Sequence, residues 1–366
     1  MFGAFLEWLR DRKCKQAEGA KVSVIIPIHN ESARMDGLLR TLLVQSCKAQ
    51  IIFIDDRSTD KSPQKLTQFA QDAAGRGIDC RIITLTENPG PNHKQFALSR
   101  GIAEADGDFF LLTDGDCEVP PGWISAMARR IQDEKTGAVI GPVFKKKQVK
   151  GFFYLFQSYD HALRYNYLVG ATGLGAAGGG FGNNLIFSRK ALDKVGGYNA
   201  IPSSPTEDAA LISQIRSAGG FRIRAIAHPD AAVETEAEKS WRAFFNQTLR
   251  WNNGGLFSPE MLTRVNYNLL AVIISIGTLA VPLLPFFPSL WPLSAAVLIS
   301  MIINTITAFS LFHTKLPHLQ KSPRQSGLLL KSSYLLTLLY MPVHFTILTL
   351  MGYARIKTTW KNNKVT

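Results

Sequence analysis

Four short runs in this 366-residue chain gather groups that could do chemistry. Asp55-Asp56-Arg57-Ser58-Thr59-Asp60 and Asp114-Gly115-Asp116 set carboxylates side by side or one residue apart, and Thr206-Glu207-Asp208 and Gln247-Thr248-Leu249-Arg250-Trp251 follow. Two acids straddling a glycine offer hard oxygen ligands to Mg²⁺ or Mn²⁺, yet the same tripeptide is a common turn. Acids ahead of a helix can take a proton from a substrate. They can equally sit there because a helix amino end is positively polarised. Gln247 and Trp251 lie one helical turn apart with Arg250 beside them, but an Arg-Trp pair is also usual just before a membrane helix. Ser58 and Asp60 read equally well as helix caps.

The elements around these runs give them a common address. Short apolar, β-rich stretches at 22–28, 50–54, 81–86, 109–113 and 138–144 alternate with helix-like stretches at 32–45, 61–74, 92–105 and 121–134. Such alternation predicts an α/β fold with a mostly parallel sheet covered on both faces. Ligands of those sheets bind beyond the carboxyl ends of the strands. Three of those ends are polar: Pro27-Ile28-His29-Asn30-Glu31, Asp55-Asp56 and Asp114-Gly115-Asp116. No Gly-x-Gly-x-x-Gly follows the first strand and no Gly-x-x-x-x-Gly-Lys-Ser/Thr occurs, which argues against a dinucleotide fold and a P-loop ATPase.

The second half reads differently. From Tyr267 to Phe312 there is no Asp, Glu, Lys or Arg, although 19% of the whole chain is charged. A bilayer crossing takes about 20 apolar residues, so this stretch has room for two, with Pro282, Pro285, Pro288 and Pro292 at the turn between them. A third apolar segment, 334–353, contains Pro342, and its basic flanks (Lys315, Lys321 and Arg324 before it; Arg355, Lys357, Lys361 and Lys364 after it) leave open whether it crosses. The expected class is an integral membrane protein of the bacterial cytoplasmic membrane with its soluble domain cytoplasmic. Its net charge of +13 then suits an anionic leaflet; no nucleic-acid-reading motif is present. Lys145-Lys146-Lys147 reads as surface. Cys14, Cys47, Cys80 and Cys117 form no Cys-x-x-Cys pair and are expected as free thiols. The amino terminus is too short in apolar residues for a secretory signal; Phe2, Phe5, Leu6 and Leu9 share a helical face that could lie on a membrane or pack on the domain.

In this order the segments VSVIIPIHNES, IFIDDRSTD, NPGPNHKQFALSRGI, DGDFFLLTDGD, GGGFGNNLIF, TEDAALISQIRSAG and QTLRW resemble the family 2 glycosyltransferases, in particular their membrane-bound branch with a Gln-x-x-Arg-Trp motif. The resemblance covers about residues 22–251. It implies a GT-A nucleotide-sugar-binding domain followed by C-terminal transmembrane helices. It also implies a Mg²⁺ or Mn²⁺ ion on Asp114 and Asp116, neutralising the charge that develops on the departing nucleoside diphosphate. Pro27, Asn30, Glu31, Asp55, Asp56, Lys94 and Asp114 would bind the donor, with His29 a less specific part of the wall. Asp208 would be the catalytic base. Gln247, Arg250, Trp251, Phe181, Gly182 and Asn183 would meet the acceptor or the diphosphate. The run Gly180-Phe181-Gly182-Asn183-Asn184 departs from the Phe-x-Gly-Thr or Phe-x-Gly-Ser of many relatives and suggests a different acceptor.

The expected function is transfer of a sugar, of the UDP-hexose type, to a hydroxyl of a lipid or lipid-linked acceptor: polyprenyl phosphate, glycerolipid or carotenoid. The expected organisation is an amphipathic segment at 1–20, the GT-A domain at 21–265, a membrane region at 266–354 and a basic tail at 355–366. A processive polysaccharide synthase is the rival enzyme, disfavoured by only three apolar segments. A sugar-1-phosphate nucleotidyltransferase would carry a Gly-x-Gly-Thr-Arg-like stretch after strand one, which is missing. A non-catalytic nucleotide-sugar sensor is the rival of another class.

Overall fold

The structure, a computed structural model, describes residues 2–12, 19–87, 92–146, 152–202, 204, 206–226, 231–312, 327–360 and 363–365. Cys14, the 88–91 part of the NPGP segment, Lys147, Lys315, Lys321, Arg324 and Lys361 lie outside them. The chain divides into two compact units, residues 2–144 with 168–236, and residues 145–167 with 237–366.

In the first unit, α1 (Phe2–Arg12) precedes an alternation of strands and helices: β1 (Val22–Ile28), α2 (Asp36–Leu42), β2 (Gln50–Asp56), α3 (Ser62–Ala74), β3 (Cys80–Leu85), α4 (His93–Ala103), β4 (Phe109–Leu112), α5 (Trp123–Ile131) and β5 (Thr136–Ile140). Then come β6 (Val143–Lys145), β7 (Leu185–Ser188), α7 (Arg189–Lys194), α8 (Glu207–Ser217), β8 (Arg222–Ala225) and β9 (Val233–Thr235), while α6 (Phe152–Gly173) lies mostly in the second unit and ends in the first. Seven strands form one sheet in the order β3-β2-β1-β4-β7-β5-β8. β1 to β4 are parallel and β5 is parallel to β8; only β7 runs against its neighbours. The mostly parallel α/β sheet read from the sequence is therefore present. Residues of β1, β2, β4, β5 and β7 are almost all buried, whereas the edge strand β3 is partly exposed. Continuous apolar runs belong at positions covered on both faces.

The stretch 138–144, expected as one strand, is two. Gly141-Pro142 ends β5; Pro142 has no N–H for the ladder, and its carbonyl instead accepts from Val233 N at 2.9 Å. Strands β7, β8 and β9 were not foreseen. β7 and β8 have only four residues each and β9 three, too short for a period to register.

The second unit holds α9 (Trp241–Leu256), α10 (Met261–Ala280), α11 (Trp291–Phe312), α12 (Gly327–Tyr353) and a hairpin of β10 (Thr358–Trp360) with β11 (Asn363–Val365). α10 and α11 are long and apolar enough to cross a membrane. They are joined by two short 3₁₀ turns carrying Pro282 and Pro288, where the sequence placed the turn. Leu269, Trp291 and Ile306 are about 60% exposed, so these helices do not hide their apolar surface within the protein. Gly277 lets them approach: a Cβ there would collide with Val297. α12 continues through Pro342. Phe156, Leu163, Phe244, Ala308 and Met341 form this unit's apolar cluster.

Candidate functional site

Strand order locates the site before any side chain does. From β1 the chain adds β2 and β3 on one side, then returns to place β4 on the other. The carboxyl ends of β1 and β4 thus part at a topological switch point, where open α/β sheets bind ligands. The β1–β4 pairing ends at Ile25↔Leu112. Pro27, which has no N–H to give a ladder, stands just beyond it and is tolerated there.

Beyond Pro27 the ends of β1 and β2 are laced together. Asn30, at φ 54°, accepts from Thr59 N at 2.8 Å and from Asp60 N at 3.3 Å, and its own N–H donates to Ser58 Oγ. Asp60 accepts from Ser32 N and from Ser62 N at the start of α3. Desolvation is the largest single influence and raises its pKa, but the hydrogen bonds from Ser62 and Ser32 together outweigh it and hold the carboxyl well below the usual range. Ser58 and Asp60 thus act structurally. Asp55, 3% exposed, accepts from Ser58 N at 3.1 Å. Asp56 holds Arg57, also at φ 54°, whose Nη2 reaches His93 Nδ1 at 2.6 Å. His29 Nδ1 lies 2.6 Å from Asp56 O, so His29 fastens β1 to β2.

At the end of β4, Asp114 and Asp116 are partly exposed, with side chains at 34% and 19%. Gly115 is required by packing: a Cβ there would meet Ile28 Cδ1 at 2.7 Å and Glu31 Cγ at 3.0 Å. Lys94, in the first turn of α4, ties the site together. Its Nζ lies 2.9 Å from Asp114 Oδ1 and 3.1 Å from Glu207 Oε1. Burial opposes its charge, but Asp114, Glu207 and Asp208 outweigh that and push the ammonium pKa well above its ordinary value. Asp114 at the end of β4 and the acidic start of α8 therefore share one cation. Asp208 Oδ1 accepts from Ala209 N, and a Cβ on Gly182 would lie 3.3 Å from Asp208 Oδ2. Asp116 is approached by Arg34 Nη1 at 3.6 Å and Thr235 Oγ1 at 3.4 Å, while Arg34 also pairs with Glu31 at 2.6 Å.

Among the described residues no group of three or more His, Cys, Asp or Glu is placed to hold a metal ion. Asp114 and Asp116 offer oxygen donors only, and adjacent Cys117 stays a thiol because burial, then Asp116 and Asp114, push its pKa far up. Two carboxylates suit a hard cation such as Mg²⁺, which usually keeps waters and takes substrate phosphates as its other ligands.

Phe181 is buried, and Asn183 Nδ2 lies 3.6 Å from Cys117 Sγ. Asn184 is wholly buried: it accepts from Trp123 Nε1 at 2.8 Å and donates to Pro142 O and Ala231 O. One of the run's unusual asparagines is thus a loop clamp. In the second unit, Gln247 Nε2 donates to Glu238 Oε1 at 2.8 Å. The ring of Trp251 meets His161 edge-on at 5.3 Å, and Arg164 stands 5.8 Å over it. Arg250 is half-buried on the same helix, α9. The sequence did not single out Arg34, Glu207 as partner of Lys94, or His93, and it read Asn184 towards an acceptor rather than as a clamp. Arg34 carried a signal, standing three residues after Glu31; the others are joined across long sequence separations.

The model of the family described as Glycosyl transferase family 2 matches residues 23–196. Probable glycosyltransferase YdaM of Bacillus subtilis is 24% identical over 250 residues, covering 65% of this chain and 56% of that protein. Beta-monoglucosyldiacylglycerol synthase of Nostoc sp. is 26% identical over 237 residues, covering 64% and 48%. This chain spans about half the length of these curated relatives. Among solved structures, mannosyltransferase PcManGT from Pyrobaculum calidifontis, in complex with GDP-Man and Mn²⁺, superposes with a TM-score of 0.55 at 18% identity, covering 97% of this chain and 96% of that one. Residues 23–196 thus match the model of glycosyl transferase family 2, and the α/β sheet of this chain is the GT-A fold.

Proposed function

We propose that the protein is a membrane-bound, metal-dependent inverting glycosyltransferase that moves a hexosyl group from a nucleotide-sugar donor, of the UDP-hexose type, to a hydroxyl of a lipid or lipid-linked acceptor. The observation that carries the proposal is the placement of Lys94 between Asp114 and Glu207. It joins an oxygen-ligand pair to a helix start bearing a candidate base. The Nostoc relative is a beta-monoglucosyldiacylglycerol synthase, and the B. subtilis relative is a probable glycosyltransferase. The PcManGT structure holds a sugar nucleotide with Mn²⁺.

In this reading Pro27, Asn30, Glu31, Asp55 and Asp56 line the donor's nucleoside, where a carboxylate accepts from a base N–H or a ribose hydroxyl. Asp114 and Asp116 would hold Mg²⁺ or Mn²⁺, which when bound supplies Lewis-acid charge to the diphosphate. Lys94, already protonated, can turn from Asp114 towards a phosphate oxygen. Asp208 takes the proton of the acceptor hydroxyl as that oxygen bonds to the anomeric carbon. The bond from that carbon to the diphosphate oxygen breaks, its electron pair leaves with the nucleoside diphosphate, and the configuration inverts. Gly182 leaves room beside Asp208 for the acceptor, with Phe181 and Asn183 shaping the same loop. Gln247, Arg250 and Trp251 are assigned to the acceptor or diphosphate, and the exposed apolar helices α10 and α11 to the bilayer. Residues 21–265 would form the GT-A domain and 266–354 the membrane region. Calorimetric titration of the purified chain with UDP and GDP, each with Mn²⁺ and with EDTA, tests the donor half. Metal-dependent UDP binding supports it, and binding indifferent to metal would remove the role of Asp114 and Asp116.

A further inference from the structure

α1 carries a carboxylate that is out of place unless it is paired. Glu7 is wholly buried and receives three guanidinium groups: Arg10 at 2.6 Å, Arg130 at 2.8 Å and Arg224 at 3.4 Å. Ala225 N donates to it as well. An isolated buried charge is costly, so this pairing fixes α1 on the first unit. Gly3 fits the same seat, since a Cβ there would fall on the Gly170 carbonyl.

The surface next to this pairing is lined by arginines and by no acid. It forms a cleft of about 450 Å³ whose lining includes Arg10, Arg216, Arg222, Arg224, Leu174 and Gly175. Arg216 Nη1 donates to Ala177 O, Arg10 Nη1 to Gly173 O, and Arg222 is exposed. Burial first, then crowding by Arg10, Arg130 and Arg222 against the pull of Glu7, holds the Arg224 pKa below its ordinary value. Like charges so gathered are relieved by an anion. The cleft is not the donor site. β8 runs the same way as β4, since both β4 and β5 are antiparallel to β7 and β5 is parallel to β8. Arg222 therefore opens β8 at the end of the sheet opposite Asp114, and on its far edge.

Exposed apolar side chains on α1 and at Leu174 supply the second half of the ligand's chemistry. Phe2 is 66% and Leu174 64% exposed, and Phe5 stacks on Trp8 with its own ring half-exposed. Leu174 in the cleft's lining and the exposed phenylalanines of α1, the helix that carries Arg10, set apolar surface alongside guanidinium groups, which matches a molecule with a phosphate head and acyl chains.

We propose that the cleft between α1 and β8 binds the phosphate headgroup of an anionic phospholipid, so that the first unit has its own lipid contact apart from α10 and α11. Native mass spectrometry of the full chain in neutral detergent, titrated with phosphatidylglycerol or phosphatidylcholine, tests it. The expected result is preferential retention of phosphatidylglycerol. Arg222→Gln should weaken it about tenfold, the loss of one charge-assisted hydrogen bond, and Arg222→Lys should recover most of it. Arg76→Gln, an exposed arginine after α3, should behave as the parent. Equal retention of the two lipids, an Arg222→Gln variant that binds like the parent, or displacement by millimolar inorganic phosphate would each overturn the proposal.

Discussion

Replacing Lys94 by methionine keeps the length of the side chain and removes its charge. The ammonium serves Asp114 and Glu207 at once, and the Lys94 and Glu207 side chains are only 19% and 10% exposed. Removing one partner of a fully buried ion pair costs about 3–5 kcal/mol, because the other charge is left uncompensated. Asp114 is 34% exposed and regains water, so about 2–3 kcal/mol is expected here. At about 2–4 °C per kcal/mol for a unit of this size, the unfolding midpoint of Lys94→Met should fall by about 4–12 °C in a thermal scan. The double variant Lys94→Met with Glu207→Gln removes the stranded charge as well. It should be more stable than Lys94→Met alone, with a coupling of at least about 1 kcal/mol. The raised lysine pKa fixes the pH behaviour: the contribution is complete below the unfolded value of about 10.4 and is lost only as pH rises through the higher folded value. The gap in midpoint should therefore be the same at pH 6 and pH 8. Additive losses in the double variant, or a gap that closes within that window, would refute the shared-cation account.

Asp116→Asn should weaken nucleoside diphosphate binding at least about tenfold, ~1.4 kcal/mol, in the presence of Mn²⁺ and hardly at all in EDTA; calorimetry reads both. Burial, then Lys145 and Arg164, hold His161 well below its usual pKa. The unfolded chain takes up a proton below about pH 6.5 while the folded one does not, so stability present above that pH falls as pH drops, by up to about 1.4 kcal/mol per unit. His161→Phe should flatten that slope in thermal scans from pH 7 to pH 5, and an unchanged slope counts against it. Gly182→Val forces a branched side chain onto Asp208, against which even a Cβ would stand 3.3 Å away. Turnover should drop at least about tenfold with donor affinity kept, and a loss confined to donor affinity would place Gly182 elsewhere.

The sequence exposed what has a local period or a covalent spacing. Alternating apolar runs announced β1 to β5, and the uncharged stretch with its proline cluster announced α10 and α11. The polar residues after β1, β2 and β4 were legible as strand ends before their partners were. What stayed hidden depends on approach in space. Lys94 stood out only as a lysine in a donor-loop-like segment; its dual hold needs α4 to meet the start of α8, more than a hundred residues later. Gly115 stood in the sequence only as the residue between two acids, while its close neighbours in space are Ile28 and Glu31. Asn184 was read towards the acceptor and proves to be a fully buried clamp. The amphipathic α1 left two readings open. Buried Glu7 answers for packing, and its outward phenylalanines keep the membrane in view.

The most direct test of the central claim is the product. Membranes carrying the full chain, and membranes carrying Asp208→Asn, are incubated with labelled nucleotide sugars and Mn²⁺, and the organic-solvent extract is analysed by mass spectrometry. The account predicts a lipid gaining one or a few hexosyl groups from one donor with the parent chain. With Asp208→Asn it predicts none, although the variant still binds nucleoside diphosphate. Label confined to a long water-soluble polymer, or an undiminished glycolipid with Asp208→Asn, would contradict it.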